Sequence, residues 1–191
     1  MSETVPGIDG LSSNMAWYAV KVKSHHEQLV ASSLQAKEYS TLLPLYRVQS
    51  SRRGRAHDLA KPLFPGYVFA RFDVTKRLAV LITPGVVHIL GVGKTPVPVE
   101  PREISNLRII AETDVPASPW PFLKRGQRIR IHSGPLLGVE GLLVEPKRGA
   151  RLVVSVDILQ RSVALDIDAS AVTPIGWTDF SIGADVAFQN A

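Results

Sequence analysis

The stretch that most resembles catalytic machinery is Gly91-Val92-Gly93-Lys94-Thr95, with the Gly-Lys-Thr ending of a phosphate-binding loop. Such a loop needs another glycine five residues before the second one, and a helix whose N-terminus faces the anion. His88 stands where that glycine should be, and Pro96 and Pro98 oppose the helix. The five histidines, His25, His26, His57, His88 and His132, show no metal-ligand spacing with nearby acids. Asp166 and Asp168 alternate along a strand pattern, which reads as a solvated surface rather than a carboxylate pair. The chain has no cysteine, which removes disulfides, cysteine-ligated zinc, iron–sulfur clusters and thiol nucleophiles. No nucleophile has a base beside it. The expectation is a protein that is not an enzyme, with no catalytic residue, metal or cofactor, and whose work is binding.

The charge distribution shows where binding would occur. The 191 residues carry a net +5, unevenly spread. Residues 14–110 hold +8, residues 123–191 hold +1, and the leader and residues 111–122 hold −2 each. A basic region of that kind suits a polyanion, with affinity that falls as salt rises. Pro116, Pro119 and Pro121 fall within residues 111–122, where each proline fixes φ and removes a donor, so this segment reads as a stiff linker. The expected organisation is a disordered leader (1–13), an N-terminal domain (14–110), the linker (111–122), a C-terminal domain (123–176) and a tail (177–191). The longest uncharged apolar stretch, Leu78 to Gly93, is interrupted by Pro84-Gly85, and the first cation is Lys21. Neither a membrane span nor a signal peptide is expected, which points to the cytoplasm.

The elements follow from periodicity. Trp17 to Lys23 alternates as a half-buried strand. Ser24 and Glu27 fit a capping box for a helix reaching Glu38. Leu42 to Tyr46 reads as a strand, and Arg47 to Lys61, with five cations, as a mobile basic loop or hairpin tip. In the strand Leu63 to Phe72, Val68, Ala70 and Phe72 face one way, while Tyr67, Phe69 and Arg71 face the other. Asp73 can cap a short helix over Thr75 to Ile82. Val86 to Leu90 is a strand, and Pro101 suits the first position of a helix carrying Ile104, Leu107 and Ile110. This order is that of a ferredoxin-like α+β sandwich. If its helices cover Val68, Ala70 and Phe72, then Tyr67 and Phe69 are either covered by another segment or form an exposed partner site.

In the C-terminal part, Gly126 to Ile131, Leu142 to Val144, Leu152 to Ile158, Val163 to Ile167 and Val172 to Ile175 read as five short strands between turns. That pattern predicts an SH3-like five-stranded β-barrel. The valine and isoleucine alternation favours strands over helix here.

The residues Gly126-Gln127-Arg128-Ile129-Arg130-Ile131-His132-Ser133-Gly134-Pro135-Leu136-Leu137-Gly138-Val139-Glu140-Gly141 resemble a KOW motif. Trp17-Tyr18-Ala19-Val20 and Lys61-Pro62-Leu63-Phe64-Pro65-Gly66-Tyr67-Val68-Phe69 resemble the signatures of the NusG N-terminal (NGN) domain. Both in this order resemble a transcription elongation or antitermination factor of the NusG family. The basic loop and the Pro-Leu-Phe-Pro-Gly-Tyr run look more like its specialised RfaH-like branch, the antiterminators of polysaccharide operons.

The resemblance implies partners and residues. The N-terminal domain would bridge the cleft of RNA polymerase, gripping the clamp of the largest subunit with Phe64, Pro65, Gly66, Tyr67 and Phe69. Thr75, Lys76 and Arg77 would lie on the side of the gate loop of the second-largest subunit. Lys21, Lys23, His25, His26, Arg52, Arg53 and Arg55 are candidates for upstream or non-template DNA. The KOW residues Gly126, Gly134, Pro135, Leu136, Gly138 and Gly141 would belong to a domain that recruits Rho or a small-subunit ribosomal protein. Leu136 replaces the aromatic usual at that place. A monomer is expected. The alternative, a ribosome-associated or RNA-binding KOW protein, fits poorly with a nearly neutral C-terminal part.

Overall fold

In the computed structural model, residues 14–52, 55–113, 115–120, 127–144, 150–168 and 171–177 are described, and at 49–52, 55–58, 120, 150, 176 and 177 the backbone alone. The leader 1–13 and the end of the tail lie outside them, as do Arg53 and Gly126. Two compact units form, and they do not follow chain order. One comprises the chain up to Leu43 plus Gly66–Val99, the other Pro44–Pro65 plus everything from Glu100 onward.

In the first unit, the alternation beginning at Trp17 becomes β1 (Met15–Val22), followed by α1 (Glu27–Gln35) and β2 (Ser40–Leu42). After the excursion 44–65 come β5 (Tyr67–Asp73), a 3-10 turn (Val74–Lys76), α2 (Leu78–Leu81) and β6 (Val86–Ile89). These strands form one antiparallel sheet in the order β2-β5-β1-β6. Tyr18, Val20 and Val22 join Val68, Ala70 and Phe72 on the face that buries Val30, Ala31 and Leu34 of α1. Each such aliphatic side chain contributes about 1.5–3 kcal/mol through burial. The Tyr18 and Phe72 rings lie 4.8 Å apart between centroids.

Two local expectations change. Asp73 does cap the 3-10 turn, accepting from the Thr75 N–H at 2.9 Å and its hydroxyl at 2.7 Å. The capping box at α1 does not form. His26 is the cap residue and makes no side-chain cap bond, because the Glu27 carboxylate turns elsewhere. The segment Gly91 to Pro96 is a small hairpin of β7 (Gly91–Val92) and β8 (Thr95–Pro96), with no helix at its end to hold phosphate.

In the second unit, the basic loop proves to be a regular hairpin of β3 (Leu45–Arg52) and β4 (Arg55–Pro62), in register from Leu45 opposite Pro62 to Arg52 opposite Arg55. Then come α3 (Pro101–Glu112), β9 (Ala117–Trp120), β10 (Gln127–Ile131), β11 (Glu140–Val144), β12 (Ala150–Val156), β13 (Arg161–Ile167) and β14 (Val172–Trp177). A 3-10 turn, Asp157–Leu159, joins β12 to β13. The expected five-stranded closed barrel is instead a six-stranded antiparallel sheet in the order β14-β10-β11-β12-β13-β9, whose end strands are not paired with each other. The sixth strand comes from the proline-rich linker. Pro119 is tolerated because β9 is an edge strand. Pro101 opens α3, and Ile104, Leu107 and Ile110 are buried. α3 lies against β12, where Val153 and its cross-strand neighbour Ala164 are buried along with the opposite face of Leu152, Val154 and Leu165.

Candidate functional site

The face of the first sheet opposite α1 is set by register. Trp17, Ala19 and Lys21 of β1 stand across from Arg71, Phe69 and Tyr67 of β5. Leu42 flanks Phe69, and His88 pairs with Lys21 on the other side. The centre of this face, Ala19 and Phe69, is fully buried. Tyr67 and Lys21 are half-buried, and Arg71 and His88 are exposed. The Lys21 ammonium sits 4.3 Å above the centroid of the Tyr67 ring, a cation–π pair. The aromatic face is therefore present with the predicted orientation, but Phe69 is not exposed. In the second unit Phe64 is likewise buried, while Pro65 is exposed and its carbonyl accepts from Arg161 Nη1 at 3.3 Å.

Gly66 precedes Tyr67 and is held at both of its backbone groups. Its N–H donates to the Glu27 carboxylate at 2.7 Å, and its carbonyl accepts from the Val22 N–H at 2.9 Å. Its φ of +81° suits glycine, and a Cβ there would stand 2.8 Å from Lys21 Nζ.

The basic candidates divide. Lys23 and His25 are exposed. His26 is half-buried, with Nδ1 2.9 Å from the Ser24 carbonyl. Arg52 and Arg55 face each other in the backbone register of the hairpin tip. Thr75, Lys76 and Arg77 are exposed, with Thr75 tied to Asp73. The two bonds from Thr75 hold the Asp73 carboxyl below its ordinary value. Burial pushes the Tyr18 phenol up.

In the second unit, Gly134 and Gly138 lie in the turn between β10 and β11, with Pro135 exposed and Leu136 buried. Gly141 is required by close approach, since a Cβ there would collide with the Val153 carbonyl oxygen. The group that sequence reasoning missed surrounds Glu140, which is 8% exposed. Its carboxylate takes Arg102 Nη1 at 2.8 Å, Arg128 Nη2 at 3.4 Å and Arg130 Nε at 2.7 Å. Asn106 of α3 pairs with the Glu140 backbone, donating to its carbonyl at 2.9 Å and accepting its N–H at 3.2 Å. Beside it on α3, Glu103 accepts from the Asp157 N–H at 2.9 Å, and burial raises its carboxyl to about 7.

Among the described residues no group of three or more His, Cys, Asp or Glu could hold a metal ion, and no helix is long and apolar enough to cross a membrane. The described side chains include a cation–aromatic pair, Lys21 and Tyr67, on a half-buried sheet face, with exposed Lys23, His25, Arg71 and His88 in the same unit. The family described as "Transcription termination factor nusG" matches residues 15–108. The transcription termination/antitermination protein NusG of Thermus thermophilus is 30% identical over 182 residues, covering 83% of this chain and 98% of that protein. The protein of the same name from Deinococcus radiodurans is 28% identical over 189 residues, covering 83% and 98% respectively. A solved structure, "Domain interaction in Thermotoga maritima NusG", is 25% identical, covering 84% of this chain and 97% of that chain, with a TM-score of 0.49. The chain belongs to the NusG family of transcription termination/antitermination proteins. The expectation of a specialised RfaH-like branch is not borne out, since these relatives carry the general NusG name.

Proposed function

We propose that this chain is a transcription elongation and antitermination factor. It binds RNA polymerase across the cleft, suppresses pausing or termination, and recruits a second partner through its KOW region. The observation that carries this reading is a relative named for termination and antitermination, matched over 98% of its length. The strand order β2-β5-β1-β6, with helical segments after β1 and β5, supports reading the first sheet as the family's ferredoxin-like sandwich. Strands β10 to β14 are read as the KOW region. Functionally the division follows the chain, with 14–110 for polymerase and 123–176 for Rho or a small-subunit ribosomal protein. The work is cytoplasmic and done by a monomer.

Contact with the clamp of the largest subunit is assigned to Phe64, Pro65, Gly66, Tyr67 and Phe69. As they stand, Pro65 and Tyr67 offer surface, whereas contact through Phe64 and Phe69 requires uncovering them. Thr75, Lys76 and Arg77 face the gate loop of the second-largest subunit. Lys23, His25, His26 and the arginines 52, 53 and 55 reach upstream or non-template DNA through phosphates. Lys21, placed over Tyr67, belongs to the same nucleic-acid group. The mechanism is a population shift: a factor that prefers the closed clamp moves it toward closed by no more than its differential affinity. Retention on immobilised core RNA polymerase tests the reading. Tyr67→Ala is expected to lose retention and pause suppression, and equal retention of both proteins contradicts the assigned face.

A further inference from the structure

We propose that Glu27 is the positioning residue of the docking face, holding Gly66 so that Tyr67 enters β5 in its binding orientation. This role rests on the polymerase-docking reading above. Glu27 is the first residue of α1 and is only 7% exposed. A buried carboxylate is costly unless its charge is compensated. Here the helix N-terminus favours the negative charge, and the Gly66 N–H meets it in a charge-assisted hydrogen bond of 2.7 Å. The bond spans 39 residues of sequence, and it replaces the local one that Glu27 would make to Ser24 in a capping box.

Three constraints therefore meet at the residue before Tyr67. Glu27 fixes the Gly66 N–H, Val22 of β1 fixes its carbonyl, and a φ of +81° sets the direction in which the chain leaves. The Tyr67 ring then falls beneath Lys21, one position before Val22 on β1. A contact residue held in this way loses less freedom on binding, which raises affinity without adding a contact. Glu27 itself touches no partner. It acts through Gly66.

The test compares Glu27→Ala, Glu27→Gln and Tyr67→Ala in the full chain, binding to core RNA polymerase, with amide hydrogen exchange at Gly66 as a second readout. Glu27→Ala is expected to weaken binding about tenfold, the scale set by one lost charge-assisted bond. Its Gly66 amide should exchange faster while the β1–β5 ladder stays protected. Glu27→Gln keeps an accepting oxygen but loses the charge, and is expected to recover most of the parent's binding and Gly66 amide protection. Circular dichroism of each variant reports folding, and the Gln variant carries the test if Ala does not fold. Parent-like binding by Glu27→Ala, with Tyr67→Ala weakened, overturns the role of Glu27 alone. An unchanged Gly66 exchange rate, or a Gln variant as weak as Ala, does the same. Parent-like binding by Tyr67→Ala overturns the docking reading itself.

Discussion

Among the described residues each unit buries one glutamate at nearly the same exposure, Glu27 at 7% and Glu140 at 8%, but the two carboxylates are compensated differently. Glu27 faces a neutral backbone N–H at the start of a helix. Glu140 faces three guanidinium groups, one from α3 and two from β10, while its backbone is gripped by Asn106. The first arrangement fixes one turn through a backbone hydrogen bond. The second ties helix α3 to a sheet through charge. A buried carboxylate can thus shape a docking surface or hold two elements together, depending on its partners.

The largest effect expected from breaking this comparison is at Glu140. Glu140→Ala leaves three cations with no carboxylate between them, and should cost about 2–4 kcal/mol in urea denaturation of the full chain. Glu27→Ala removes a single bond to a neutral donor and should cost less, about 1–2 kcal/mol, with Glu27→Gln recovering most of it. Equal losses at the two sites would erase the distinction.

Glu103 sharpens the comparison through pH. Its carboxyl titrates at about 7 in the folded chain because burial disfavours the charge, against an ordinary 4.5. The folded state therefore holds the proton more tightly than the unfolded state, so stability falls as pH rises between those two values. Thermal melts of the parent should drop by on the order of a few degrees across that window, and Glu103→Gln should flatten the dependence. Asp73, held low by Thr75, contributes in the opposite sense, but only below its ordinary range. The smallest effect is at the exposed Arg151–Asp166 pair, 2.8 Å apart, where Asp166→Asn should change stability by less than about 1 kcal/mol.

Much of the fold was legible because alternation marks half-buried strands. β1, β5, β10, β12 and β13 all announce themselves this way, and Pro101 and Asp73 mark starts correctly. The β3–β4 hairpin was legible only as one of two alternatives, a mobile loop or a hairpin tip, since residues 47–61 are rich in polar and charged types and show no sustained apolar alternation in sequence. β9 was hidden by its prolines, which exclude a central strand but not an edge strand. At the candidate site, the opposed orientations of Tyr67 and Val68 could be read from period two. The burial of Phe69 could not, because it depends on what lies over the sheet. Glu27 was invisible as an anchor because Gly66 lies 39 residues away and local spacing offered Ser24 instead. At Glu140, Asn106 and Arg102 lie 34 and 38 residues away, and Arg128 and Arg130, 12 and 10 residues away, meet it only once β10 pairs with β11.

The most direct measurement is the affinity of the full chain for core RNA polymerase, with and without Tyr67→Ala. The parent chain is expected to bind and to suppress pausing in elongation, with affinity reduced at least about tenfold by the substitution, on the scale of a lost aromatic anchor. Parent-like affinity in the Tyr67→Ala protein, or no binding by the parent chain, would contradict this reading.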